Sequence, residues 1–267
     1  MLALPHFVAL VSVCALMVVL WLWQRRSGNA GVVDVAWAGS IGVMGVAFAL
    51  IGDGWEPRRI LVGAIIGLWS ARLTQHLWVR VVGEPEDGRY GWMRERFGGG
   101  FDGWMFWFFQ AQAVLAWLLT LPIVVVADAA LEGWRVWDAV AVLLFAASVV
   151  GETVADRQLA AWKKDPDNAG ATCRSGLWRY SRHPNYFFEW LHWCVYPLLA
   201  LALPWGWLVW AAPLVMLFLV LKVTGIPPTE AQSVRSRGDD YRAYQRETNA
   251  FFPGPVRGAA TAESPSN

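Results

Sequence analysis

The run Gly176-Leu-Trp-Arg-Tyr-Ser-Arg-His-Pro-Asn-Tyr-Phe-Phe-Glu189 gathers the densest set of reactive side chains in the chain. It leads straight into an apolar segment. Asn185 offers an amide donor and an amide acceptor together. That pairing complements a primary carboxamide, the group carried by a nicotinamide ring. Glu189 stands four residues on, so both fall on one face of any helix that starts here. Pro184 suits the first position of such a helix, because its φ is already set and its missing N–H is not needed there. Arg179, Arg182 and His183 place positive charge just before it. A carboxylate inside an apolar segment is costly and needs a partner.

Three other polar groups interrupt apolar surroundings. Asp34 lies in Val32-Val-Asp-Val-Ala-Trp37. It reads either as a carboxylate at the headgroup level or as a buried acid whose pKa desolvation raises until it can donate a proton. Arg72, Gln75 and His76 share one helical face by their spacing, and Arg80 follows where a snorkelling side chain would sit. Arg72 is too deep in its apolar run for snorkelling, which points inward. The segment Glu84 to Tyr90 is polar and turn-rich, suited to closing over a ligand or to simple solvation. The third group runs from Glu152, Asp156 and Arg157 through Lys163-Lys164 to Arg174, with enough cations for a ligand bearing several phosphates. Gly98-Gly-Gly100 follows no strand and is no dinucleotide fingerprint.

The elements that position these groups are transmembrane helices. Hydrophobic residues form 56% of the 267, above the ~45–50% of soluble domains, and they lie in long runs. A hydrocarbon core needs about 20 apolar helical residues. Seven segments meet or approach that: Leu4–Trp23, Gly31–Ile51, Ile60–Val79, Trp104–Ala127, Trp134–Val154, Tyr186–Leu203 and Trp205–Ile226. Pro204 alone separates the last two, and if they form one broken helix the count is six. The fold class expected is an all-α polytopic bundle. The basic pair Arg25-Arg26 follows the first apolar run, the reverse of a signal peptide. Lys and Arg then favour an N-terminus outside, with both long polar loops and the C-terminus cytoplasmic. A net charge of +1 suggests no nucleic-acid partner. Three scattered cysteines fit neither a disulfide framework nor a zinc site, and no metal is expected. Residues 1–253 read as one domain. Thr229 and Gln232 resemble a capping box, opening a short tail helix with Tyr241 and Tyr244, and Gly254–Asn267 has the composition of a loose end.

The Gly176–Glu189 run, with Gly238-x-x-Tyr-x-x-Tyr244 and Phe251-Phe-Pro253, resembles the C-terminal half of the steroid 5-alpha-reductase-like superfamily. Asp34-Val-Ala-Trp37 and Glu86-Asp-Gly-Arg-Tyr90 resemble its bacterial DUF1295 branch. The resemblance implies a membrane enzyme that uses NADPH to reduce an activated carbon–carbon double bond in a lipophilic substrate. It places Asp156, Lys163, Arg174, Asn185, Glu189 and Arg80 around the cofactor. Arg72, Arg182, His183, Tyr241 and Tyr244 complete the cofactor-binding set. The reductases bind the substrate carbonyl with a Glu on the second helix and a Tyr on the third. Here the nearest acid is Asp34 and the third-helix position falls on Trp69, so Asp34 and Tyr186 stand as the proton-donor candidates. For a bacterial chain the location implied is the inner membrane.

An Arg-His-Pro-x-Tyr core also occurs in isoprenylcysteine and phospholipid methyltransferases. An S-adenosylmethionine-dependent methyltransferase is therefore the second expectation, and a non-enzymatic lipid-binding membrane protein the third. The substrate and the oligomeric state are left open.

Overall fold

A computed structural model describes residues 3–257. Among them every regular element is helical. Helices α1 (Ala3–Ser27), α2 (Val32–Ile51) and α3 (Glu56–Gly83) come first. They are followed by α4 (Gly88–Phe97), α5 (Phe101–Leu118), α6 (Leu121–Ala127) and α7 (Val136–Lys164). The remainder is α8 (Pro184–Trp193), α9 (Val195–Leu199), α10 (Ala211–Phe218), α11 (Ile226–Arg237) and α12 (Asp239–Glu247). Among the described residues six stretches are long and apolar enough to cross a membrane: α1, α2, α3, Gly88–Ala127, α7 and Gly206–Arg237. The polytopic helical bundle read from the apolar runs is thus the architecture observed.

The expected span Tyr186–Leu203 is built differently, as the two short helices α8 and α9. Pro197 has no N–H to offer the carbonyl of Trp193, and the helix breaks at Cys194. The capping box expected at Thr229 is also not formed. Helix α11 begins at Ile226, with Pro227 and Pro228 in the first turn where proline is tolerated, and Thr229 donates back to the Gly225 carbonyl at 2.8 Å.

The chain packs as two compact units. The first contains the residues up to Asp138 together with Tyr196–Ala212. Its core holds Met17, Ile41, Ile66, Trp69, Met105 and Phe109, each fully enclosed. Helices α2 and α3 approach closely because α2 carries small residues. A Cβ on Gly42 would stand 2.1 Å from Ser70 Oγ, the hydroxyl that donates to the Ala38 carbonyl at 2.8 Å. Arg58, in the first turn of α3, is 1% exposed and donates to Asp138 at 2.7 Å and to the Leu199 carbonyl at 3.0 Å. In the sequence it reads as an ordinary loop cation.

The second unit contains Ala139–Val195 and the residues from Pro213 onward. Gly151 on α7 lets α8 come close, since a Cβ there would meet the Phe188 ring at 2.3 Å. Val220, Ile226 and Phe251 form a small core with Tyr186, Phe187 and Trp190 packed against it. The start of the expected loose end is tied down. Gly254 N donates to the Tyr180 carbonyl at 3.0 Å, and Arg257 N to the Glu247 carbonyl at 2.8 Å. The rest of that tail, from residue 258, lies outside the described residues.

Candidate functional site

In the first unit the polar residues converge on Asp34. It sits in the first turn of α2, where the helix dipole favours a negative charge. The segment Glu84 to Tyr90 does not hang free. Asp87 caps α4 by accepting from Arg89 N at 2.9 Å, and Glu86 accepts from Ala30 N at 2.7 Å, which pins the segment to the α1–α2 turn. Arg89 then forks: Nε reaches Asp87 Oδ1 at 3.0 Å and a terminal nitrogen reaches Asp34 Oδ2 at 3.1 Å. Arg80 joins from α3, donating to Asp87 Oδ2 at 3.1 Å. Burial pushes the Asp87 carboxyl up, but Arg89 and Arg80 outweigh it and hold the group below the usual carboxylate range. The remaining Asp34 oxygen accepts from the Tyr90 hydroxyl at 3.0 Å. Tyr90 is 1% exposed and Asp34 is partly buried, so a buried tyrosine meets an acid that an arginine orients.

Asp34 therefore uses both oxygens as acceptors, and the hydroxyl that can donate is that of Tyr90. Tyr90 and Arg89 are not among the residues whose spacing marks them in the sequence, although both lie in Glu86-Asp-Gly-Arg-Tyr90. The signal was an aromatic hydroxyl inside a run otherwise made of charges and glycine. On α3, Arg72 and His76 are half-buried, one and two turns beyond buried Trp69. Gln75, expected to share their face, is exposed and lines a groove on the outer surface.

In the second unit Pro184 opens α8 as its spacing dictates, and Asn185 and Glu189 ride its first turns. Asn185 Nδ2 donates to Asp156 Oδ1 of α7 at 3.3 Å, while its oxygen accepts from Tyr186 N at 3.0 Å. Glu189 is buried and accepts from Trp193 Nε1 at 3.2 Å. Amide and carboxylates thus lie together on facing helices. The Tyr186 hydroxyl pairs with Thr229 Oγ1 at 3.3 Å.

The cations nearby are largely engaged. Arg182 donates to Glu230 Oε1 at 2.6 Å, to the Gln245 carbonyl at 3.0 Å and to the Thr248 carbonyl. His183 meets the same Glu230 oxygen at 3.2 Å and stacks on Tyr186. Burial lowers the His183 pKa; the Glu230 hydrogen bond and charge work against this, and Arg182 adds to it. Gln245 donates to the other Glu230 oxygen at 2.7 Å. The Tyr244 hydroxyl donates to the Trp178 carbonyl and to Ser181 O at 3.2 Å. Arg174 is bound by Asp240 Oδ1 at 2.7 Å and Glu247 at 3.5 Å. Tyr241, buried beside Tyr244, has its pKa raised to about 12, chiefly by burial. Arg182, His183 and Tyr244 therefore fasten the Gly176–His183 loop to α11 and α12. Lys163 lines a small polar cavity of about 210 Å³ with Asp165, Asn168, Cys173 and Arg237.

A polytopic helical membrane protein with carboxylate-centred polar clusters in both of its units is the class these observations define. The chain belongs to the DUF1295 family, described as a protein of unknown function, whose pattern it matches over residues 20–248. It is similar to the uncharacterized protein C594.04c of the fission yeast Schizosaccharomyces pombe, at 26% identity over 93% of this chain and 80% of the yeast protein. No solved structure matches it.

Proposed function

We propose that the protein is a membrane-embedded, NADPH-dependent reductase acting on an activated carbon–carbon double bond in a lipophilic substrate. The observation that carries this reading is the hydrogen bond from buried Tyr90 to partly buried Asp34. It supplies the acid–tyrosine pair implied by the likeness to the steroid 5-alpha-reductases, with the tyrosine on α4 rather than on α3. Tyr90 offers its hydroxyl to the carbonyl oxygen of an enone-like substrate, and Asp34 and Arg89 hold that hydroxyl in place. As charge gathers on the oxygen, a donor already fixed in place stabilises it with little reorganisation. Tyr90 thus replaces Asp34 and Tyr186 as the donor.

NADPH, when bound, supplies the hydride that reaches the β-carbon. Asn185 suits the carboxamide end of such a cofactor, with Asp156 and Glu189 orienting it. Lys163 and Arg237 bring positive charge to the lining of the small polar cavity and suit a phosphate there. That cavity takes a phosphate-sized group and not a whole dinucleotide, since whole-ligand sites run to roughly 300–1,000 Å³. The excess of Lys and Arg in alternate loops supports a cytoplasmic cofactor side.

The test is thermal stabilisation of the purified protein in detergent. A ligand at 100 times its Kd adds about 2.7 kcal/mol to a native state that binds it. NADPH is expected to raise the melting temperature and S-adenosylmethionine to leave it unchanged. Stabilisation by S-adenosylmethionine instead would make the protein a methyltransferase, and no response to either would point to a lipid-binding role.

A further inference from the structure

Helix α4, which carries Tyr90, lies between two glycine joints. Gly83 closes α3, and Gly98-Gly99-Gly100 links α4 to α5. A Cβ on any of these glycines would meet nothing within 4 Å, so packing does not call for glycine there. Gly98 also has φ +48°, in the region that favours glycine. We propose that α4 is a flap that swings about these two joints, lifting Tyr90 off Asp34 and opening the pair to a ligand. The purpose of the motion rests on Tyr90 being the proton donor; the motion itself does not.

The way α4 is held suits a part that opens. Among its residues Tyr90 alone is buried, whereas α5 buries five. Its other ties to the bundle are mainly polar. Glu86 accepts from Ala30 N at 2.7 Å and Arg94 donates to the Gly28 carbonyl at 3.1 Å, both at the α1–α2 turn. Arg80 meets Asp87 at 3.1 Å, and Arg89 meets Asp34 at 3.1 Å. The side chains of the first pair are 41% and 24% exposed and those of the second 21% and 22%, so water and salt weaken both.

The closest ring contacts sit beside a joint. Phe97 stacks on Trp104 at 4.6 Å across the Gly98–Gly100 link, and Arg94 lies over the Phe101 ring at 4.3 Å. Groups so near the axis move little when the flap turns. Tyr90 lies about midway between the joints and moves most; its ring is 6.3 Å from that of Phe108. Opening therefore gives up the burial of one tyrosine and a few screened pairs. Lids fastened this lightly move on microsecond to millisecond timescales, with the change absorbed at a few hinge residues.

The experiment measures distances between spin labels in the full chain in detergent by pulsed electron resonance. The labels go on Arg96→Cys in α4 and Arg26→Cys in α1, both exposed, with Cys14 changed to Ala and the buried Cys173 and Cys194 left in place. A major short distance and a minor long one are expected. Raising salt from about 0.1 M to about 1 M, which cuts the screening length from about 10 Å to about 3 Å, should increase the long population several-fold. Gly83→Ala and Gly99→Ala fit without a clash and stiffen the joints, so each should reduce it several-fold. Modification of Asp34 by a water-soluble carbodiimide, mapped by peptide mass spectrometry, should rise and fall with that population. A single distance throughout, a long population that does not respond to salt or to the glycine changes, or an Asp34 whose modification does not follow it would overturn the proposal. No cofactor or substrate is added, so a protein that reduces no lipid still decides for or against the flap.

Discussion

The carboxylates of Asp34 and Glu230 both sit among arginine and aromatic partners, yet they are built for different work. Around Glu230 the donors are spent. Arg182, His183 and Gln245 converge on its two oxygens, and Arg182 goes on to the carbonyls of Gln245 and Thr248. Such a closed set fixes a loop in place. Around Asp34 an arginine and a tyrosine also converge, but the tyrosine hydroxyl is a small movable donor, and its single hydrogen bond can be exchanged for one to a ligand oxygen. A satisfied charge cluster is the signature of structure. A cluster whose last donor is a lone buried hydroxyl is the signature of chemistry.

The contrast can be broken at either end. Glu230→Ala removes the acceptor shared by Arg182, His183 and Gln245 and should destabilise the fold by about 3 kcal/mol, since it leaves a part-buried arginine without its carboxylate. Thermal or denaturant unfolding in detergent would show it. Tyr90→Phe should do the reverse. It costs the fold about 1 kcal/mol for one hydrogen bond, but lowers the reduction rate about 10²–10³-fold, as expected when a preorganised donor is removed. A Tyr90→Phe protein that melts early and still turns over at full rate would invert the assignment.

Smaller effects sharpen the comparison. Asn185→Ala and Glu189→Gln should each weaken NADPH binding by roughly 1–3 kcal/mol through the partner left unpaired. Equilibrium titration of both variants checks this, and unchanged affinity in both would remove the cofactor assignment. The mildest test is pH. Because burial lowers the His183 pKa in the folded protein, the unfolded chain binds more protons near and below the ordinary histidine value. Stability should therefore fall as pH drops from about 7 toward 5. His183→Gln should flatten that slope, and an unaltered slope would place the titration elsewhere.

The helices were legible because apolar runs of membrane length leave little freedom, and Pro184 announced the start of α8. The division of Tyr186–Leu203 was harder to see. Its composition is that of a span, and the break depends on which carbonyl Pro197 leaves without a donor. The Asn185–Glu189 spacing was readable from the helical repeat, and so was the burial of Glu189 inside an apolar segment. The partners were not. Nothing in the spacing says that Asp240 and Glu247 engage Arg174, that Glu230 gathers Arg182 and His183, or that Tyr90 folds back to Asp34 across 56 residues. Local periodicity places a side chain on a face. Long-range pairing decides whether its charge remains available.

Transfer of label from NADPH deuterated at the reactive nicotinamide carbon tests the reductase reading most directly. The purified protein is incubated with total membrane lipid and the labelled cofactor, and the lipids are analysed by mass spectrometry. A lipid that gains one deuterium and one hydrogen with the unaltered protein, and does not with Tyr90→Phe, is the predicted result. Folded protein that leaves every lipid fraction free of deuterium, or equal labelling by Tyr90→Phe, would contradict it.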